Sequence, residues 1–169
     1  MDLFEAIHDR RSIREYEERP VSEETMEALL RAAMAAPSAG NARPWAFLTL
    51  TDRKLLDAIP EIHPHAKMAA RAPAAVLVCA EPGREKYPGN WPQDCAAATQ
   101  NLLLAAHASG LGAVWCGVWP NRERMENFRR VFALPEGIEP HALVCLGYRA
   151  ETKTRADRYE PERVHRNGW

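Results

Sequence analysis

Apolar residues recur along the chain in two patterns, one typical of helices and one typical of strands. Met26, Leu29 and Ala33 recur at spacings of three and four residues, which predicts a helix that Ser22 caps and that ends near Ala35. The same criteria predict further helices over residues 2–10, 52–59, 94–109 and 121–132.

Short apolar runs predict four strands, over residues 45–51, 74–79, 113–118 and 141–148. The second run is apolar at every position, which is typical of a strand in the middle of a sheet. Strands separated by helices predict a layered α/β or α+β domain, and the pattern leaves the strand order open. The helix over 94–109 is apolar on nearly all sides, so we expect it in the core or in a subunit interface.

The length and charge of the chain narrow the class of protein. Its 169 residues, 46% of them hydrophobic, suffice for one domain with its own core. The formal net charge of −1 argues against a bulk nucleic-acid binder. No apolar run approaches the roughly 20 residues that span a bilayer, and the acidic N-terminus does not resemble a secretory signal. We therefore expect a cytoplasmic protein without nucleic-acid or membrane partners.

Four cysteines lie far apart and form no Cys-x-x-Cys pair: Cys79, Cys95, Cys116 and Cys145. This spacing favours buried free thiols over disulfides or a zinc cluster. A metal site built on His63, His65 and one cysteine is the weaker alternative, and no metal is expected.

A basic cluster without intervening acids follows the first predicted helix: Arg10, Arg11, Ser12 and Arg14. Guanidinium groups present a planar fork of donors that suits a phosphate or the carbonyl edge of a ring. The residues alone fit two interpretations equally well. One is an anion site, and the other is a surface cluster paired with nearby acids such as Asp9 and Glu15.

Two loops carry further candidate contacts. The first contains small and polar residues that let a backbone approach a ligand, namely Pro37, Ser38, Ala39 and Asn41. On these residues alone, an ordinary helix-to-strand loop is the better explanation. In the second, Gly117 lies near the end of a predicted strand, where open backbone N–H groups and the rings of Trp115 and Trp119 would suit a flat ligand. Core packing explains at least one of these two rings better.

The last twenty residues are polar without periodicity and predict an extended tail. Its basic residues, Lys153, Arg155 and Arg158 among them, would complete an anion site begun by Arg10 and Arg14, whereas a solubilising tail is the alternative. Val164 and Trp169 are unusual in a free tail and indicate that it docks on something. No Ser/His/Asp, Cys/His or paired-carboxylate signature is present, which leaves the chemistry to a cofactor.

Taken in order, these segments resemble the FMN-dependent nitroreductase family. The resemblance rests on the Arg-Arg-Ser-Ile-Arg box at 10–14, on Pro37-Ser38 followed by Asn41-x-x-Pro44-Trp45, on Gln100-Asn101, and on Gly-Leu-Gly-x-x-Trp at 110–115. It implies an α+β fold with a central mixed β-sheet flanked by helices. It also implies one domain over 1–169 and an intertwined homodimer, in which the tail at 150–169 docks on the partner subunit.

The resemblance also implies one FMN per subunit, held at the interface without a catalytic protein residue. Its cofactor-binding positions correspond to Arg10, Arg11, Ser12, Arg14, Pro37, Ser38, Ala39, Asn41, Cys116, Gly117, Arg155 and Arg158. Arg11 would act mostly through its backbone, and the loop over 37–41 would come from the other subunit. Lys153 competes with the two tail arginines for the phosphate. Arg43 replaces a glutamine that the family often has, which puts the substrate preference in doubt.

The activity implied is transfer of hydride from NADH or NADPH, with nitroaromatics, quinones or related small molecules as electron acceptors in a ping-pong cycle. Arg14, or alternatively Lys67, would stabilise the negative charge of the reduced ring. Two alternatives stay open. One is a flavoenzyme of the same fold with a different reaction, such as dehalogenation or ring oxidation, and the other is a flavin-binding protein without enzymatic activity.

Overall fold

Five helices and four strands alternate along the chain in the computed structural model, which describes residues 1–169. The helices are α1 (Leu3–Asp9), α2 (Glu23–Met34), α3 (Arg53–Ile62), α4 (Trp91–Ala108) and α5 (Arg122–Val131). The strands are β1 (Trp45–Leu50), β2 (Ala74–Ala80), β3 (Leu111–Gly117) and β4 (Glu139–Tyr148). Every helix and strand expected from the sequence is therefore present.

Four helices begin at the polar residues that the sequence places there. The side chains of Asp2, Ser22, Asp52 and Asn121 each accept a hydrogen bond from a backbone N–H in the first turn of the following helix. These bonds are local, so the residue type alone indicates the start of the helix.

Two helix boundaries differ from the prediction, and proline is involved in both. α4 begins at Trp91 and not at Asp94, because Pro92 lies in the first turn, where its missing N–H costs no intrahelical bond. α3 continues past Pro60 to Ile62. Burial of Ile59 against the core offsets the hydrogen bond that the proline removes.

The strands form one sheet in the order β1-β2-β4-β3, and all neighbouring pairs are antiparallel. As predicted, β2 is an interior strand and is buried at every residue. The sheet expected to be mixed is therefore antiparallel in all its strands, and its one parallel pairing is an isolated bridge outside them, between Ser12 and Ala113. There the N–H of Ile13 donates to the carbonyl of Ala113 at 3.0 Å. This bridge holds the basic cluster beside β3.

Helices cover both faces of the sheet. α2 and α4 pack on one face, and α3, α5 and a short turn at Lys67–Arg71 pack on the other, where Ile13 and Tyr16 join the core. α4 buries Leu102 and Leu103 toward the core but leaves Leu104 half-exposed. All four cysteines are free and buried, as expected.

The C-terminal segment leaves the sheet and runs over the surface. The N–H of Ala150 still bonds to the carbonyl of Glu15 at 3.0 Å, but residues 152–169 are exposed throughout. Among them are the apolar side chains of Val164 and Trp169. None of the helices combines the length and apolar character that crossing a bilayer requires.

Candidate functional site

The two ends of the chain meet in a cavity of about 480 Å³ that we call the basic cavity. Four guanidinium groups line it, those of Arg10, Arg11, Arg155 and Arg158. Burial lowers the pKa of Arg10, and the nearby charges of Arg158 and Arg11 lower it further. Asp9 approaches Arg155 at 3.6 Å, and Asp157 also lines the cavity. Positive charges therefore outnumber negative ones, and an anion would be stabilised there.

Arg11 links the end of α1 to the tail. Its Nε donates to the carbonyl of Thr154 at 3.0 Å, and its Nη1 donates to the carbonyls of His8 and Arg10, both at 2.8 Å. Its Nη2 is buried without a partner. The family resemblance implies mostly backbone contacts for Arg11. In the structure its side chain also lines the basic cavity and keeps one N–H donor group without a partner.

Lys153 fastens the tail to the basic cluster but does not line the basic cavity. Its Nζ donates to the carbonyl of Ser12 at 2.7 Å and lies 3.3 Å from a carboxylate oxygen of Glu151. The same carboxylate accepts the N–H of Arg14 at 2.5 Å, and this bond is the main reason why the pKa of Glu151 is lowered. Of the three tail residues that compete for a phosphate, the structure brings Arg155 and Arg158 into the basic cavity.

A second cavity, of about 310 Å³, opens where β3 ends, and we call it the strand-end cavity. It brings together three predicted site residues, Arg14, Cys116 and Gly117. Trp115 and Trp119 also line it. Ser12 lies between the two cavities in sequence and is held against β3 by its bridge to Ala113.

Two side chains converge on the carbonyl of Gly117. The sequence pattern does not mark Arg124, and it marks His63 only in the alternative metal site. Nη1 of Arg124 donates to that carbonyl at 2.6 Å, and Nε2 of His63 lies 3.0 Å from it. Burial lowers the pKa of His63, and the charge of Arg124 lowers it further, so the imidazole is neutral near pH 7. Nε2 of His63 is thus engaged with the backbone at the end of β3, and no group of three or more His, Cys, Asp or Glu side chains is placed to hold a metal ion.

Cys116 packs as a buried thiol beside two other sulfur atoms. Its Sγ lies 3.9 Å from Sδ of Met68. A hydrogen bond with Cys145 lowers the pKa of Cys116 against the opposing effect of burial, and the charges of Arg14 and Arg124 lower it further. The thiol forms part of the floor of the strand-end cavity.

The loop over 37–41 lies elsewhere in the same chain. The N–H of Ala39 donates to the buried carboxylate of Asp94 at 3.0 Å, which docks the loop on the first turn of α4. The hydroxyl of Ser38 accepts the N–H of Arg43 at 2.9 Å. Within one chain, therefore, the structure does not bring Pro37, Ser38, Ala39 or Asn41 into the basic or the strand-end cavity. The side chain of Arg43 is exposed.

Comparison with known proteins decides the family. The profile described as "Nitroreductase family" matches residues 7–78 and 63–148, which together cover most of the chain. The chain belongs to the nitroreductase family. A relative from Methanothermobacter thermautotrophicus, named "Putative NADH dehydrogenase/NAD(P)H nitroreductase", is 48% identical over 100% of this nitroreductase and 88% of its own length.

Solved structures show the same fold. A crystal structure of a protein of that same name from Parabacteroides distasonis has a TM-score of 0.94 and 42% identity, and it covers 98% of each chain. A "putative nitroreductase in complex with fmn" from Desulfovibrio desulfuricans has a TM-score of 0.86 and 29% identity over 100% of this nitroreductase and 98% of that chain. The α+β fold and the family resemblance predicted from the sequence are thereby confirmed.

Proposed function

We propose that this nitroreductase binds FMN and uses it to move electrons from NADH or NADPH to a small organic acceptor. The arrangement of the two cavities along the segment 10–14 carries the proposal. That segment is extended beside β3, so its ends lie roughly 13 Å apart at about 3.3 Å per residue. The basic cavity lies at one end and the strand-end cavity at the other. This spacing suits a molecule with a phosphate at one end and a flat ring at the other.

The basic cavity fits the phosphate of FMN. Arg10 and Arg11, which directly follow α1, would bind the phosphate jointly with Arg155 and Arg158 from the tail. Nη2 of Arg11 is buried and lacks a partner, and a phosphate oxygen would supply one. Since burial and mutual repulsion destabilise the charge on Arg10, a bound dianion would also relieve that cost.

The strand-end cavity fits the ring. Bound there, FMN would supply a two-electron carrier that takes hydride from a reduced nicotinamide and passes electrons on to the acceptor. The guanidinium of Arg14 would stabilise negative charge on the ring, because it lines this cavity, whereas Lys67 does not. Ser12 would contact the middle of the cofactor, and Cys116 and Gly117 would border its edge.

The homodimer is part of the proposal because one chain does not complete the site. The loop carrying Ser38 and Asn41 lines neither cavity of its own chain, so in our proposal the partner's copy covers the ring together with Pro37 and Ala39. Apolar side chains of α1, including Leu3 and Phe4, are exposed, as is Trp169 in the tail. A partner subunit that receives the tail at 150–169 would bury such surfaces. Residues 1–169 would then form one domain of a two-chain unit.

The decisive experiment follows the colour of the purified protein. We expect flavin absorbance, bleaching on addition of NADH or NADPH without oxygen, and recovery of the colour with menadione or a nitroaromatic. Double-reciprocal plots of initial rate against one substrate, at several fixed concentrations of the other, should give the parallel lines of a ping-pong cycle. A protein that binds FMN but is not bleached would be a mere binder. Failure to take up FMN at all would refute the proposal.

A further inference from the structure

The strand-end cavity, into which the proposed function places the ring of FMN, is lined by basic groups and by no carboxylate. Its ionisable side chains are those of Arg14, His63, His65, Cys116 and Arg124. A ring that accepts hydride there gains one negative charge, because a hydride brings two electrons but only one proton. Only a side chain that gains a proton at the same time can change its own charge in step with the ring.

Three kinds of group in this cavity do not meet that condition. Guanidinium groups stay charged at any physiological pH, so their charge is the same before and after reduction. The thiol of Cys116 is a neutral group that can only lose a proton. His63 is 2% exposed, and burial and the charge of Arg124 lower the pKa of its imidazole, so this ring resists protonation.

His65 differs from these groups because its imidazole is exposed to solvent and also lines the strand-end cavity. It meets the ring of His63 edge-on, with centroids 6.2 Å apart and planes inclined by 85°. Two further charged residues of the same connection, Glu61 and Lys67, do not line the cavity. Imidazole is the side chain whose charge changes between about pH 5 and 8, and a negative charge beside an imidazole favours the protonated form.

We propose that His65 takes up a proton when FMN in the strand-end cavity is reduced, so that two electrons are coupled to two protons and not to one. This inference rests on the proposed function, which places the ring beside His65. NADH or NADPH gives hydride to the ring and leaves as the oxidised nicotinamide, while the imidazole binds one proton from water. When the ring is reoxidised, a quinone receives the hydride and one proton, the imidazolium releases its proton, and a hydroquinone results.

A second coupled proton changes how the reduction of bound FMN depends on pH. With one proton per two electrons, the equilibrium constant for reduction changes tenfold per pH unit, which corresponds to about 30 mV. With a second proton on His65 it changes hundredfold per pH unit, which corresponds to about 59 mV. The proton uptake is therefore visible at equilibrium, without any measurement of turnover.

The test measures the reduction potential of FMN in the loaded protein against reference dyes, over roughly pH 6 to 8, with no nicotinamide or acceptor present. The unsubstituted protein should show the hundredfold change per pH unit. His65→Gln, which is always neutral, and His65→Lys, which stays charged in this range, should both show the tenfold change. The potential of the unsubstituted protein should approach that of His65→Lys at the acid end and that of His65→Gln at the alkaline end.

A histidine outside both cavities provides the matched control. The imidazole of His165 packs on the indole of Trp169 in the tail, with centroids 4.3 Å apart, and lines neither the basic nor the strand-end cavity. His165→Gln should keep the hundredfold change. Because His65 is exposed, neither of its substitutions should lower the Tm, which separates a lost proton from misfolding.

The outcomes separate the inference from the proposed function. If His65→Gln keeps the hundredfold change, the second proton binds elsewhere, for example on the ring itself, and the inference is overturned while the FMN reaction stands. A tenfold change in the unsubstituted protein overturns it in the same way. If the protein takes up no FMN, or if nicotinamide does not bleach it, the proposed function has failed and the inference fails with it.

Discussion

Nη1 of Arg124 donates to the backbone carbonyl of Gly117 at 2.6 Å, across only seven residues of sequence, and fixes the last peptide of β3. The second partner of that carbonyl, His63, comes from 54 residues away. A strand end that is bonded from two sides presents its backbone in one orientation. Such preorganisation is what a cofactor ring at this place would require.

Replacing Arg124 should therefore loosen the strand end. Arg124→Met is expected to lower the free energy of unfolding by about 1–2 kcal/mol, since a hydrogen bond from a charged donor is lost. FMN affinity should fall severalfold. Urea unfolding and flavin titration measure the two effects. Arg122→Met, an exposed change in the first turn of the same helix, is the matched control. Equal behaviour of the two variants would show that the bond to Gly117 has no role.

The basic cavity should recognise the phosphate and not the ring. Arg158→Gln is expected to weaken FMN binding about tenfold, because one charged contact with the phosphate is lost. Riboflavin, which lacks the phosphate, should bind both proteins equally. Arg163→Gln is the control, because Arg163 pairs with Glu160 outside the basic cavity. A parallel loss of riboflavin affinity in Arg158→Gln would mean that the tail acts on the ring or on folding.

Gly112 controls how closely the basic cluster approaches β3. A Cβ at this position would lie 2.5 Å from Cγ2 of Ile13 and 2.7 Å from Cγ of Arg149. Gly112→Ala should therefore push the segment 10–14 away from the strand. The free energy of FMN binding should weaken by more than the free energy of unfolding falls. Gly83→Ala meets no atom within 4 Å and is the control. Flavin titration beside urea unfolding checks this order of effects.

Stability should fall in mild acid because His141 is buried in its neutral form. Its pKa is lowered to about 4 in the folded chain, against roughly 6.5 when unfolded. Between these values the unfolded chain binds the additional proton, so stability decreases as the pH falls through this window. From pH 8 to pH 5 the loss should be about 2 kcal/mol for this residue.

Urea unfolding at several pH values measures that loss. His63 and His107, whose pKa values burial also lowers, contribute in the same direction. His141→Leu should therefore flatten the pH dependence without abolishing it. An unchanged slope in that variant would show that His141 is protonated in the folded protein or exposed to water.

Local signals account for most of what the sequence predicts correctly. Helix caps such as Ser22 and Asn121 bond to N–H groups in the first turn of their own helix. The apolar run of β2 likewise predicts directly that the strand is buried. The meeting of the Arg10 segment with the tail is anticipated from the positive charge of both segments, and the family resemblance assigns a phosphate to it. His63, Arg124 and His141 escape prediction because their roles depend on neighbours brought close only by the fold. Pro60 and Pro92 mislead because tertiary packing and helix position override a general preference.

The bridge between Ser12 and Ala113 has a consequence for solubility. β3 is an edge strand of the sheet, and an uncovered edge strand exposes unpaired N–H and C=O groups to other molecules. The segment 10–14 covers part of the β3 edge. Any change that detaches it, such as loss of the contacts from Lys153 or Arg11, would expose a template for intermolecular strand pairing. Arg11, which is proposed to hold the cofactor, would thus also protect the protein from aggregation, as would Lys153.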